Sequence, residues 1–190
     1  MKTKNELLSH LIALLSAVCV VILDQWSKNQ VVEHLSPPDS GRSVSLLGDY
    51  LSLYYVRNWN SAMGLLTNPM LLAVLIVVAL VVLISFYWRL FRRGPLVYKI
   101  LFGLILGGAA GNILDRFIRG GYVVDFIYFR IPQIGFRFYI FNIADAAISV
   151  GVALLFILLF FSDFRRPRRE EPDNEQADVE PSPTTSGKLS

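Results

Sequence analysis

The sequence predicts an all-α polytopic membrane protein, with four transmembrane helices, a small extracytoplasmic β element and an amphipathic outer loop. Three observations lead there. Hydrophobic residues make up 54% of the 190 and charged ones only 17%, with a mean hydropathy of +0.49, whereas soluble domains carry about 25% charged residues. The charges are also segregated: no Asp, Glu, Lys or Arg occurs from Asn58 to Trp88, and only Lys99 interrupts Gly94 to Leu114. Finally, four segments approach the ~20 apolar residues that cross ~30 Å of hydrocarbon: Leu7 to Val32, Pro69 to Phe91, Leu96 to Ile118 and Phe141 to Phe161. The net charge of +3 does not indicate nucleic acid, because the basic residues sit mostly at the ends of apolar runs and act there as topology signals. One cysteine, Cys19, excludes both a disulfide framework and a cysteine-based zinc cluster.

The first span follows Lys2 and Lys4 but continues through polar residues without an A-x-A-like cleavage site, so it reads as a retained helix rather than a secretory leader. Arg89, Arg92 and Arg93 lie between spans two and three, and Arg165, Arg166, Arg168 and Arg169 follow span four. The positive-inside rule makes these places and both termini cytoplasmic, leaving loops 33–68 and 119–140 outside. The first outer loop opens on the turn signal Pro37-Pro38-Asp39-Ser40-Gly41 and runs into Leu51-Ser52-Leu53-Tyr54-Tyr55-Val56, which suits a strand. The second, Tyr122 to Ile140, is dense in aromatics and suits an amphipathic segment resting on lipid. Residues 1–164 thus form a membrane core. The charged, Pro/Ser/Thr-rich stretch 165–190 reads as a disordered cytoplasmic tail, since it has little apolar surface to offset ordering entropy.

Within span three, Gly103, Gly107 and Gly111 share a helix face and predict close helix packing rather than ligand binding. More informative are the carboxylates in or beside the spans, Asp24, Asp115, Asp125 and Asp145, because an ionisable group there is expensive unless paired. The inferred topology puts all four in one layer near the outer interface. Asp24 precedes Lys28 by four residues, the favourable order for a helical ion pair. Asn112, Asp115 and Arg116 share a face, where Arg116 is suited to neutralise an acid or hold a peptide carbonyl. Asn142, Asp145 and Ser149 form a polar stripe on span four. Asp125 and Asp145 have no basic partner in their own segments. Should the two converge, desolvation and repulsion would leave one protonated and one ionised, the arrangement of aspartic peptide hydrolysis. Polar packing between helices and a proton path remain open on the same residues. His10 and His34 are isolated and read as interfacial rather than metal-binding.

Five blocks in order across the four spans resemble the lipoprotein signal peptidase (signal peptidase II) family of bacterial membrane aspartic endopeptidases. They are Asp24-Gln25-Trp26-Ser27-Lys28, Arg57-Asn58-Trp59-Asn60-Ser61-Ala62-Met63-Gly64, Gly111-Asn112-Ile113-Leu114-Asp115-Arg116, Gly121-Tyr122-Val123-Val124-Asp125-Phe126 and Phe141-Asn142-Ile143-Ala144-Asp145. The second departs from the family pattern: Asn60 stands for a glycine and Met63 for an aromatic. The resemblance implies that Asp125 and Asp145 are a catalytic dyad. It also implies supporting roles for Asn58, Asn112, Asp115, Arg116 and Asn142, and a structural or substrate-contacting role for Asp24 and Lys28. The implied substrate is a diacylglyceryl-modified prolipoprotein, cut on the amino side of the lipidated cysteine. The implied setting is the bacterial inner membrane, with membrane lipid as surroundings and the site toward the outer leaflet. No metal, organic cofactor or nucleic acid is implied, and the two outer loops would close over the substrate. The competing readings are a small four-span proton-coupled transporter, whose key acid belongs near mid-bilayer, and a non-enzymatic scaffold.

Overall fold

The computed structural model describes residues 2–59, 69–91 and 94–164. Asn60 and Met63, the basic residues Arg92 and Arg93, and the tail 165–190 lie outside them.

The helices follow the apolar runs. Helix α1 (Lys2–Leu35) is 34 residues long, α2 (Pro69–Phe86) 18, α3 (Leu96–Ile118) 23 and α4 (Ile143–Phe164) 22. Three described helices are long and apolar enough to cross a membrane: α1, α3 and α4. Helix α2 occupies the position of the second predicted span and is continued by a π-helical turn, Tyr87–Phe91. Outward-facing residues such as Leu15, Ile22 and Phe156 are well exposed, as side chains that meet lipid must be.

Helix α3 sits between α1 and α4 because small residues let it. A Cβ placed on Gly103 would lie 2.4 Å from the Ala13 carbonyl oxygen, and one on Gly107 2.6 Å from that of Ala17, so the predicted glycine face is where α1 lies against α3. Gly108 plays the same part toward α4, where a Cβ would meet the Ala144 carbonyl oxygen at 2.4 Å. At the other end of the bundle Lys99 is buried and donates to Ser9 Oγ at 2.6 Å. His10, expected to be isolated, is hydrogen-bonded to the Tyr87 hydroxyl.

The two loops expected outside, between α1 and α2 and between α3 and α4, contribute strands. The antiparallel sheet has the order β1 (Ser43–Leu47), β2 (Leu51–Asn58), β3 (Val123–Ile131) and β4 (Phe136–Arg137). The fold is therefore mostly helical rather than all-α, and the stretch expected to be an amphipathic loop is largely strand. Val123 to Phe126 are buried in succession, so the segment shows no alternating pattern and its aromatics mimic an interfacial stretch. One face of the sheet packs on the end of α1 through Val31, Leu35, Tyr55, Val124 and Phe126. In register, Asn58 faces Val123 and Val56 faces Asp125. The chain entering α4 is stitched to β3, since the Phe141 carbonyl accepts from the amides of Phe126 (3.0 Å) and Ile127 (2.7 Å). That stitch brings the start of α4 beside Asp125.

Candidate functional site

Helix α4 begins with a reciprocal cap. Asn142 Oδ1 accepts the Asp145 amide at 2.9 Å, while the Asn142 amide donates to Asp145 Oδ2 at 3.3 Å, the capping-box arrangement with Asn and Asp in its two places. Asp145 is thereby held in the first helical turn, where the helix dipole favours a negative charge. The same Asn142 reaches across to β3, its Nδ2 donating to Asp125 Oδ1 at 2.7 Å. Both carboxylates thus hydrogen-bond to one residue. Asn58 Nδ2 donates to the other Asp125 oxygen at 2.8 Å, and Asn112 Nδ2 to Asp145 Oδ1 at 2.7 Å. Asn142 Nδ2 also meets Asn112 Oδ1 at 3.2 Å. Three amide side chains therefore surround the two acids, and neither acid has an ion-pair partner among the described residues.

Asp125 is buried, and its carboxyl is pushed up to about 6. Desolvation is the main cause, the hydrogen bond from Asn58 opposes it, the charge of Asp145 adds to it, and the bond from Asn142 opposes it again.

Beneath the pair lies a charged layer that the helices share. Lys28 is wholly buried and uses its three donors on Asp24 Oδ2 (2.7 Å), Asp115 Oδ2 (3.0 Å) and Asn112 Oδ1 (3.1 Å). The predicted Asp24–Lys28 pair is thus present and extends to a second helix. Asp24 Oδ1 accepts the Ala144 amide at 3.0 Å, satisfying a donor of α4's first turn, and Asp115 Oδ2 accepts the Val124 amide at 3.0 Å, fixing β3 next to Asp125. Two buried acids therefore hold the two elements that carry Asp145 and Asp125. A Cβ on Gly111 would lie 2.7 Å from Asp24 Oδ2, so that glycine makes room for the carboxylate as well as for a helix.

Other placements differ from the expectations. Among the described residues Arg116 forms no ion pair and its buried Nε has no hydrogen-bond partner, while its Nη1 donates to the Asn112 carbonyl at 3.0 Å. Asp115 is paired instead with Arg119, at 3.0 Å, because the i,i+4 neighbour reaches its Oδ1 along the helix. Ser149 is exposed and does not continue the Asn142–Asp145 stripe. Gln25, quoted only within a motif, donates to Asp115 Oδ1 at 2.9 Å and to Asp24 Oδ2 at 3.2 Å. An aromatic platform flanks Asn58 and was not foreseen: the Arg57 guanidinium lies 5.0 Å above the Tyr122 ring, and Trp59 packs on that ring at 5.1 Å.

The chain is similar to known proteins in sequence and in fold. Residues 16–161 match the family described as signal peptidase (SPase) II. The chain is 37% identical over 152 residues to a lipoprotein signal peptidase of Bacillus velezensis, covering 80% of this chain and 95% of that protein. It is 41% identical over 145 residues to one of Geobacillus kaustophilus, covering 76% and 90%. Two solved structures, both described as a bacterial membrane enzyme determined by the in meso method, are also similar. One has a TM-score of 0.71 at 31% identity, covering 84% of this chain and 93% of that one; the other has 0.66 at 32%, covering 77% and 91%.

Proposed function

Because the chain belongs to the signal peptidase II family of lipoprotein signal peptidases, we propose that it is an aspartic endopeptidase whose dyad is Asp125 and Asp145. Its substrates are diacylglyceryl-modified prolipoproteins, cut on the amino side of the lipidated cysteine. Helix α2 is taken as the fourth span, with both termini on the cytoplasmic side of the inner membrane and the dyad toward the outer leaflet.

The observation that supports this best is the pair's setting: two carboxylates joined through Asn142, ringed by neutral amides, with no cation paired to either among the described residues. A lysine or arginine against the dyad would hold both acids ionised. Amide donors leave room for one proton. Asp125 carries that proton, since burial raises its affinity for it, and substrate closing over the site strengthens the effect by removing water.

The ionised Asp145 accepts a proton from water as the water oxygen attacks the scissile carbonyl carbon, while Asp125 gives its proton to the carbonyl oxygen. The tetrahedral diol collapses when its C–N bond breaks, one hydroxyl proton returns to Asp125, and the proton on Asp145 passes to the departing cysteine α-amine. Asn112, Asn142 and Asn58 hold the acids in place. Arg116, whose buried Nε–H is unused among the described residues, is placed to donate to a peptide carbonyl of the bound chain. Asp24, Lys28 and Asp115 position the two elements. The aromatic platform and the sheet lie over the site as a partial cover.

The test is Asp125→Asn and Asp145→Asn, each purified and incubated with lipid-modified prolipoprotein, the products being resolved by mass. Each variant should lose at least 10³-fold in cleavage rate, the scale set by loss of an essential acid or base, while keeping the wild-type circular dichroism. Normal cleavage by either removes the dyad.

A further inference from the structure

A groove of about 280 Å³ lies on the side of the sheet away from the dyad. Its walls are Trp26, Val31 and Leu35 of α1, Val44 of β1, Leu53 of β2 and Phe126 of β3. Successive residues of a strand point to opposite faces, so Phe126 lines this groove while Asp125 faces the site. None of the catalytic or supporting side chains lines it.

Two features indicate what fills it. The first is continuity with the membrane-facing surface. Val18, Ile22 and Trp26 are exposed at four-residue spacing along α1, and the same row continues through Gln30 and His34, which line the groove. An apolar stripe that meets lipid along its length therefore runs straight into the groove. The second is charge. Arg42 Nη1 donates at 2.6 Å to the carbonyl of Ser36, next to Leu35 at the far end of the groove, and Arg42 has no carboxylate partner among the described residues. His34 stands at the same end, its Nδ1 donating to the Gln30 carbonyl at 2.8 Å, which leaves Nε2 for another partner. The groove is thus apolar toward Trp26, with the Arg42 cation and the His34 ring at its other end, separated by about 12 Å of helix between residues 26 and 34.

We propose that this groove is a binding site for one bilayer phospholipid, with an acyl chain between α1 and the sheet, the phosphate against Arg42 and the rest of the headgroup beside His34. The bound lipid fills the space behind the sheet that carries Asn58 and Asp125, and so supports the position of both. Its source is the surrounding bilayer. The acyl chains of a prolipoprotein at the dyad would have to pass around the sheet to reach it. The inference depends on α1 lying in a membrane and not on the dyad assignment.

The full-length protein in dodecyl maltoside micelles is titrated with 1-palmitoyl-2-oleoyl phosphatidylglycerol, and bound lipid is counted by native mass spectrometry. One lipid should survive detergent exchange. Leu53→Trp, which fills the groove, should weaken its retention at least tenfold, Arg42→Gln several-fold, and Ile22→Trp, on the lipid-facing row outside the groove, not at all. Equal retention in wild type and Leu53→Trp overturns the site. Displacement of phosphatidylglycerol by a diacylglyceryl-cysteine peptide assigns the groove to substrate and overturns the lipid's source. Should Leu53→Trp not fold, a chain keeping only Trp26, with Trp59→Phe and Trp88→Phe, decides the matter. Its emission should be quenched by phosphatidylglycerol brominated on the acyl chain at about one lipid per protein, and unchanged emission at that ratio overturns the proposal.

Discussion

Asp125 leaves water on a strand whose first four residues are all buried, and among the described residues its two oxygens meet only neutral donors. With its carboxyl at about 6 rather than 3.8, the folded protein binds this proton more tightly than the unfolded chain does. The stabilisation that results is complete below about pH 4 and is lost as pH rises through about 6, a change of about 3 kcal/mol. Asp125→Asn does not titrate, so between pH 4 and pH 8 its unfolding free energy should gain on wild type by up to that amount. Thermal unfolding of both proteins across the range measures the difference, and a difference flat in pH contradicts the assignment. Two further variants should move the Asp125 midpoint in opposite directions, as followed by its carboxyl infrared band. Asp145→Asn removes a neighbouring charge and lowers it, whereas Asn58→Ala removes a donor to the ionised form and raises it. Both acids were legible in the sequence because charges are scarce in its apolar runs. The partnership of Asp115 with Arg119 follows the i,i+4 rule but went unread, because Arg116 drew attention through its own i,i+4 spacing from Asn112, whose carbonyl it meets.

Helix α3 was readable to the residue and α1 and α4 to within about five residues at each end, because a run of apolar residues bounded by charges has one physical meaning in a bilayer. Strand β3 was not, because burial of consecutive residues erases the period of two on which strand recognition depends. The element scale also separates packing from catalysis. Gly108 meets the Ala144 carbonyl, one residue before Asp145, whereas Gly103 meets Ala13 and Ser16 of α1, far from the acids. Overpacking costs ~1–3 kcal/mol at either place. Only at Gly108 does relief of the clash require α4's first turn to move, and a displacement of about 1 Å at a catalytic group is worth roughly 10²-fold. Gly108→Ala should therefore lose on the order of 10²-fold in kcat, while Gly103→Ala keeps its activity within a few-fold at a similar loss of thermal stability. Steady-state assays on both variants, beside their melting curves, test this; parallel losses of activity would mean that the glycines serve the bundle as a whole.

For the whole molecule, three helices place the acids at one depth. Asp24 lies about 33 Å along α1 from Lys2 and Asp115 about 29 Å along α3 from Leu96, close to the ~30 Å of the hydrocarbon core, and Asp145 opens the returning helix α4. Charge order along the sequence made that layer visible, and the sheet joins it through Val124 and Phe141. Such a layer has a side. In a Cys19→Ala background, Ser45→Cys on β1 should react with an impermeant maleimide in intact spheroplasts, and Asn5→Cys only after permeabilisation; the reverse pattern inverts the topology. If the layer faces outward, it lies where acyl chains anchored in the outer leaflet hold a modified cysteine. Diffusion of the scissile bond is then confined to the depth of the dyad, and orientation that an unmodified peptide must acquire on binding is already present. Removing the diacylglyceryl group should therefore lower kcat/KM at least 10²-fold, mostly through KM, because the chemistry at the two carboxylates is unchanged once the bond reaches them. Equal kcat/KM for modified and unmodified prolipoprotein would show that the acids recognise peptide alone, and the depth at which the three helices hold them would then have no part in selecting the substrate.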